Sequence, residues 1–142
     1  MSAECPTLEE MTAIFTDPRV LSVQVSVELG ECDRHVILDR GEMLTAVDLL
    51  VEEIDMNTYG NPLSHHFGEG KLAGNTAVRL ITCSNVTAHG WDDPLALTLT
   101  LDSCRPYDVQ AVLDFLIKTF DAGTYEIPHV HVRRIPTRRV PA

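Results

Sequence analysis

Three side chains that could together carry out self-cleavage stand at fixed distances in the second half of the chain. Ser84 is followed by His89 five residues later, and Cys104 comes fifteen residues after His89. A serine hydroxyl can attack the carbonyl of the residue before it, so that the backbone breaks and the serine is left as a pyruvoyl group. An imidazole can assist this attack, and a thiol can later donate a proton. Each residue alone also fits an ordinary turn, surface or core position, so the spacing carries the interpretation.

Composition narrows the class of protein. The chain has 142 residues, 44% hydrophobic and 23% charged, which predicts one globular domain over 1–142. A net charge of -10 argues against a nucleic-acid-binding surface. The apolar stretches are short and the first residues have no signal-peptide character, which predicts a cytoplasmic protein that does not enter a membrane. In that compartment the four cysteines are expected to be reduced thiols.

Hydrophobic periodicity predicts the elements that must position these residues. Alternation over Val20 to Leu29 and over Leu95 to Leu101 is typical of half-buried strands. Apolar residues recur three and four positions apart over Gly41 to Ile54 and again after Pro106. This spacing is typical of amphipathic helices. Further strands are predicted at Thr76–Thr82 and Tyr125–Arg133.

This order predicts an α+β fold, a two-layer α/β sandwich in which two helices cover one face of a mainly antiparallel sheet. Glu28 and Cys104 both fall on the strand faces that point away from the helices, where a site can form. Residues 57–62 look like a turn and 68–74 like a loop, and residues 1–18 and 136–142 are expected to be peripheral.

Several motifs together resemble the S-adenosylmethionine decarboxylases in their short bacterial and archaeal form, over about Val20 to Arg133. A Glu-x-x-Glu-Cys-Asp segment follows the first strand, and a hydroxyl residue stands eight positions before the serine. An aromatic residue follows a His-His pair, and another lies two positions beyond the catalytic His. The matching residues are Glu28, Glu31, Cys32, Asp33, His65, His66, Phe67, Thr76, Ser84, His89, Trp91 and Cys104.

The resemblance implies a zymogen that cuts itself between Cys83 and Ser84, with help from Thr76 and His89. The pyruvoyl group made from Ser84 is then the cofactor, and it holds the substrate amine as a Schiff base while carbon dioxide leaves. Cys104 is implied as the proton donor in decarboxylation.

Family members assemble as homodimers and supply the aminopropyl donor for spermidine, a polyamine. The resemblance therefore implies S-adenosylmethionine as the small-molecule partner of this chain. Glu28 is implied to bind a polar group of that substrate, and Phe67 and Trp91 are implied to stack on its adenine.

Two residues beside the cleavage point depart from the family pattern and keep other functions open. Cys83 stands where Glu is usual and Asn85 where His is usual. One alternative is a pyruvoyl-dependent ornithine or arginine decarboxylase, and another is a non-cleaving homologue with a regulatory or binding role. The pairs His65-His66 and His129-x-His131 have no nearby carboxylate or thiol at ligand spacing, so no metal site is expected.

Overall fold

The structure is a computed structural model that describes residues 5–142. Within them lie four α-helices, one short 3₁₀-helix (Gly70–Leu72) and seven strands. In chain order these are α1 Leu8–Ile14, β1 Val20–Gly30, α2 Arg34–Ile37, α3 Arg40–Glu53, β2 Thr58–Phe67, β3 Gly74–Ile81, β4 Ser84–Trp91, β5 Ala96–Ser103, α4 Val109–Thr119, β6 Thr124–Tyr125 and β7 His129–Arg134.

The strands form one sheet in the order β2-β3-β4-β5-β1-β6, and β7 also pairs with β1. Every pairing is antiparallel. Helices α3 and α4 pack on each other and on one face of this sheet, while the other face stays open. The predicted α+β sandwich is therefore confirmed.

The two main helices form where the sequence supplies both a cap and an apolar stripe. Asp39 and Asp108 accept hydrogen bonds at the N-termini of α3 and α4, which satisfies backbone donors that the helices leave unpaired. Both helices bury residues spaced three and four apart, which meet one face of the sheet. The buried positions are Met43, Ala46, Val47, Leu50 and Val51 in α3, and Val109, Val112, Leu113 and Leu116 in α4.

Strand alternation decides which residues remain on the open face. In β1, Val23, Val25 and Val27 are buried against the helices, whereas Glu28 is exposed. In β5, Leu97, Leu99 and Leu101 are buried in the same way. The open face therefore carries the polar members of each strand, as expected for an antiparallel sheet covered on one side.

The structure corrects two parts of the predicted topology. Residues 57–62 were expected to form a turn, but β2 runs through them with a register shift between Tyr59 and Leu63. Proline fits there because β2 is an edge strand, and Pro62 lies inside the irregular stretch. The segment after Ser84 is also a full strand, β4, at the centre of the sheet.

Three boundaries differ as well. The helix expected from Pro106 begins at Val109, and the last strand is divided into β6 and β7. Met11 of α1 is fully buried in the core, so the described part of 1–18 is not merely peripheral. Residues 1–4 lie outside the described part of the chain. Residues 136–142 are exposed and carry no regular structure.

Candidate active site

Cys83 and Ser84 lie at a tight turn between two central strands. Ile81 pairs with Ser84 across β3 and β4, so Thr82 and Cys83 alone make the turn. Cys83 has a φ of 55°, in the left-handed region that disfavours residues with a side chain. Such a conformation costs on the order of 1–3 kcal/mol and tends to be found at functional sites. The bond between Cys83 and Ser84 therefore follows a strained residue.

Besides two hydrogen bonds between Thr82 and Asn57, three hydrogen bonds surround the cleavage point. The backbone N–H of Cys104 donates to the carbonyl oxygen of Cys83 over 3.3 Å. Ser103 Oγ donates to the carbonyl of Thr82 over 2.9 Å. The side-chain amide of Asn85 donates to Ser84 Oγ over 3.1 Å. The carbonyl beside Ser84 thus already faces an N–H donor, the kind of group that stabilises negative charge developing on an oxygen.

The thiol of Cys104 stands beside the same turn. It follows the last residue of β5 and is exposed, on the far side of the strand from the buried Ser103. Partial burial raises the pKa of Cys104, and a hydrogen bond with the Cys83 side chain raises it further. Both causes favour the protonated thiol, which is the form that can donate a proton.

A second group of residues lies toward the other end of the strands, in one row across the open face. The strand register aligns His65, Thr76, His89, Thr98 and Glu28 on five adjacent strands. Thr76 Oγ1 lies 2.6 Å from Nδ1 of His89. Burial lowers the pKa of His89 more than the nearby Asp92 carboxylate raises it, so the neutral imidazole is favoured.

Two aromatic side chains flank a glycine next to this row. Phe67 pairs with Gly74, and continuing the register of β3 and β4 sets Gly74 opposite Trp91. Strands two apart are separated by about 9.5 Å, twice the ordinary spacing, and Gly74 puts no side chain between the two rings. His65 and His89 meet Phe67 and Trp91 edge to face, at centroid distances of 4.6 and 4.4 Å. Gly74 is nevertheless buried, because the Gly90 carbonyl oxygen and the His89 ring lie directly over it, and Phe67 and Trp91 line two separate cavities.

A cavity of about 380 Å³ adjoins Trp91 and Glu28. Thr124, Tyr125 and Glu126 complete its outer wall. Two carboxylates and two aromatic rings in one cavity suit a ligand that combines a positive charge with an apolar body.

Within one chain, these two groups of residues lie apart. Ser84 and His89 are five positions apart on β4, about 16 Å for an extended strand. Ser84 also has the parity of the buried Val86 and Ala88, whereas His89 belongs to the open face. Glu28 and Cys104 share the open face, but the register of β1 and β5 puts them near opposite ends of the sheet.

The two histidine pairs do not converge on one point. His65 lies on the open face, whereas Nδ1 of the neighbouring His66 lies 2.9 Å from Asn75 Oδ1 on the helix side. Across residues 5–142, no three His, Cys, Asp or Glu side chains are grouped to hold a metal ion.

Sequence reasoning missed several residues around the candidate site. Asn85 and Ser103 were not recognised as partners of the turn, because nothing in a sequence reports that two strands end together. Gly74 was read as part of a loop. A Cβ at Gly74 would lie 1.8 Å from the Gly90 carbonyl oxygen and 2.8 Å from His89 Nε2, so this glycine is sterically required. These residues could have been found only if the sequence had shown that β4 is a strand.

This architecture is that of an α+β decarboxylase domain. A solved adenosylmethionine decarboxylase from Aquifex aeolicus VF5 superposes with a TM-score of 0.66 at 20% sequence identity, covering 87% of this chain and 99% of that one. At this identity the likeness establishes the fold. No curated protein sequence gives a significant match.

The family assignment comes from the sequence. The family model for S-adenosylmethionine decarboxylase matches residues 23–133, and the chain belongs to this family of pyruvoyl-dependent enzymes. The predicted family membership and decarboxylase function are confirmed. In residues 5–142, no helix is long and apolar enough to cross a membrane.

Proposed function

We propose that this chain makes its own pyruvoyl group from Ser84 and uses it to decarboxylate S-adenosylmethionine. The observation that carries the proposal is the Cys83 carbonyl. It belongs to a strained residue, accepts the N–H of Cys104 and directly precedes Ser84. Cys83 and Asn85, the two departures from the family pattern, are both engaged in this turn, so they do not argue for an inert homologue.

Self-cleavage follows from these contacts. Ser84 Oγ attacks the Cys83 carbonyl carbon, and the Cys104 N–H stabilises the oxygen that becomes negative. The C–N bond then breaks, leaving an ester between Cys83 and Ser84. Elimination frees the Cys83 carboxylate, and hydrolysis of the resulting unsaturated residue releases ammonia. The products are fragments 1–83 and 84–142. Within one chain His89 lies about 16 Å from Ser84 and cannot accept its proton. The neutral His89 of a second subunit, positioned by its own Thr76, is proposed to take this part.

The residues around position 84 fit a pyruvoyl group. When present, that group supplies an electron sink for the carbon that loses carbon dioxide. The Cys104 thiol neighbours the Cys83 side chain, one residue from position 84, and its raised pKa keeps the proton that the proposed reaction needs. Once the chain is cut, the new Cys83 carboxylate lies next to Cys104. A negative charge there favours the neutral thiol further.

The two cavities, one beside Phe67 and one beside Trp91, are proposed to hold the substrate. Phe67 and Trp91 stack on the purine from either side. Glu28 binds a polar group of the ligand, and the acidic, aromatic cavity attracts the sulfonium. An ornithine or arginine substrate has no purine and would leave the two aromatic rings without a stacking partner, so the nucleoside substrate is favoured.

A homodimer brings the separated residues together. In the proposed dimer, the open faces of two subunits pack against each other. The twofold axis lies between the two sheets and runs perpendicular to the strands, so each end of a strand lies over the opposite end of the same strand in the partner. The Ser84 turn of one subunit then lies over the His89 row of its partner. Exposed apolar side chains on this face support such packing, namely Leu63, Phe67 and Leu80.

The assay is release of labelled carbon dioxide from carboxyl-labelled S-adenosylmethionine, ornithine and arginine under the same conditions. We expect release from S-adenosylmethionine alone. Release confined to either amino acid would refute the substrate but not the pyruvoyl chemistry. An uncut, inactive chain would refute both.

A further inference from the structure

Two cysteines face each other across the cleavage point. Ser84 pairs with Ser103, and one further step in the same register sets Cys83 opposite Cys104. The Cys104 N–H to Cys83 carbonyl hydrogen bond closes this pair. Residues directly opposite in antiparallel strands have Cα atoms about 4.5–5.5 Å apart, within the roughly 4.4–6.8 Å that disulfides span. If the strand spacing continues one step beyond β4 to the turn residue Cys83, the pair meets the distance that a disulfide requires.

The two side chains are also neighbours and accessible. After burial, the Cys83 side chain contributes to the raised pKa of Cys104. Both are exposed, whereas Cys5 and Cys32 are buried. Burial raises the pKa of Cys32 to about 11, which makes that thiol a poor nucleophile. Of the four cysteines, Cys83 and Cys104 are the pair that an oxidant can reach.

We propose that Cys83 and Cys104 form a reversible disulfide that switches this decarboxylase off under oxidising conditions. The oxidant is a small-molecule disulfide such as oxidised glutathione. Cys83 attacks one of its sulfurs and expels one thiol, and Cys104 then attacks the mixed disulfide and expels the second. Two electrons pass to the oxidant, which leaves as two thiols. Exchange begins at Cys83 because the raised pKa of Cys104 reduces its thiolate fraction.

Two consequences follow, and the first rests on the proposed function. A disulfide at Cys104 removes the S–H proton that decarboxylation requires. After self-cleavage Cys83 is the last residue of fragment 1–83, so the same bond joins the two fragments covalently. Exposed disulfides of this kind are readily reduced again, which suits a switch in a reducing compartment.

The test treats the purified protein with oxidised glutathione, denatures it, alkylates the remaining thiols and measures the intact mass without reductant. We expect two of the four cysteines to escape alkylation and peptide mapping to link Cys83 to Cys104. Fragments 1–83 and 84–142 should run as one species and separate after dithiothreitol. Decarboxylation should be lost on oxidation and restored by the same reductant.

Two control variants identify the pair, and the uncut chain separates the two proposals. Cys83→Ser and Cys104→Ser should each abolish the disulfide. If two cysteines still escape alkylation in either variant, the disulfide joins another pair. If the chain does not cleave itself, the proposed function fails. The disulfide can still be detected in that case, by peptide mapping of the intact chain. The inference would be overturned if Cys83 and Cys104 both remained open to alkylation after oxidation. It would also be overturned if the disulfide joined two different chains.

Discussion

Trp91 and Cys104 have separate tasks in the proposed reaction, so substitutions should separate them. Trp91→Ala removes one of the two rings proposed to stack on the purine and should weaken S-adenosylmethionine binding by about 1–3 kcal/mol, the scale of base–aromatic stacking. Self-cleavage should continue, because Trp91 lies seven positions from Ser84 on β4. Cys104→Ala should do the reverse, binding substrate without turning it over normally. Binding by calorimetry and carbon dioxide release distinguish the two, and an unchanged affinity in Trp91→Ala would contradict the assigned site.

In the proposed mechanism, the pH dependence of decarboxylation follows from the Cys104 thiol. Its pKa is raised above the ordinary 9.0, first by burial and then by Cys83, so the proton is retained at neutral pH. Proton donation is lost as the pH rises through the raised value. The alkaline limb of kcat should therefore lie above pH 9.0, and in Cys83→Ser it should move down because one cause of the raised pKa is gone. A limb in the wild type below pH 9.0 would argue against Cys104 as the donor.

At the scale of the elements, the packing of β3 against β4 positions His89. Gly74→Ala places a methyl group against the Gly90 carbonyl and the His89 ring, and relief requires the backbone to move. We expect a lower melting temperature and slower self-cleavage. Gly41→Ala is the matched control, because its new Cβ meets only the Asp39 carboxylate at 3.3 Å, at the exposed start of α3. Equal melting temperatures for the two variants would show that Gly74 is not a constraint.

Hydrophobic periodicity predicts the elements in which large apolar residues recur at regular positions. It fails where close packing requires small residues at those positions. Strands β1 and β5 and the two main helices were predictable from their apolar stripes. Strand β4 was missed because its buried face ends in Ala88 and Gly90. A Cβ on Gly90 would lie 2.9 Å from Met43 Sδ, so the nearby helix selects glycine and removes the pattern.

The candidate site was predictable as a set of residues but not as an arrangement. Motif spacing singled out Ser84, His89 and Cys104, and an offset of five along a strand means opposite faces. That consequence became readable only once β4 was known to be a strand. Partners such as Asn85 and Ser103 depend on where two strands end, which periodicity does not report.

At the scale of the whole molecule, the separation of Ser84 from His89 within one chain is the reason why we propose that dimerisation is part of the chemistry. Expressed alone, the Ser84→Ala chain should remain uncut. The His89→Ala chain, expressed alone, should remain uncut or be cut slowly. Co-expressed, they should form mixed dimers in which one site combines Ser84 of one subunit with His89 of the other. The His89→Ala chain should then be cut, which differently tagged chains reveal on a denaturing gel. Mixed dimers that stay uncut would mean that each site is built from one chain.

The central claim, that Ser84 becomes a pyruvoyl group, is tested most directly by the intact mass of the purified protein under denaturing, reducing conditions. We predict two species, fragment 1–83 ending in a free carboxylate and fragment 84–142. The second should be lighter by one ammonia than a fragment beginning with serine, and Ser84→Ala should give the single uncut mass. A wild-type chain that stays whole after prolonged incubation, or a second fragment that begins with an intact serine, would contradict the account.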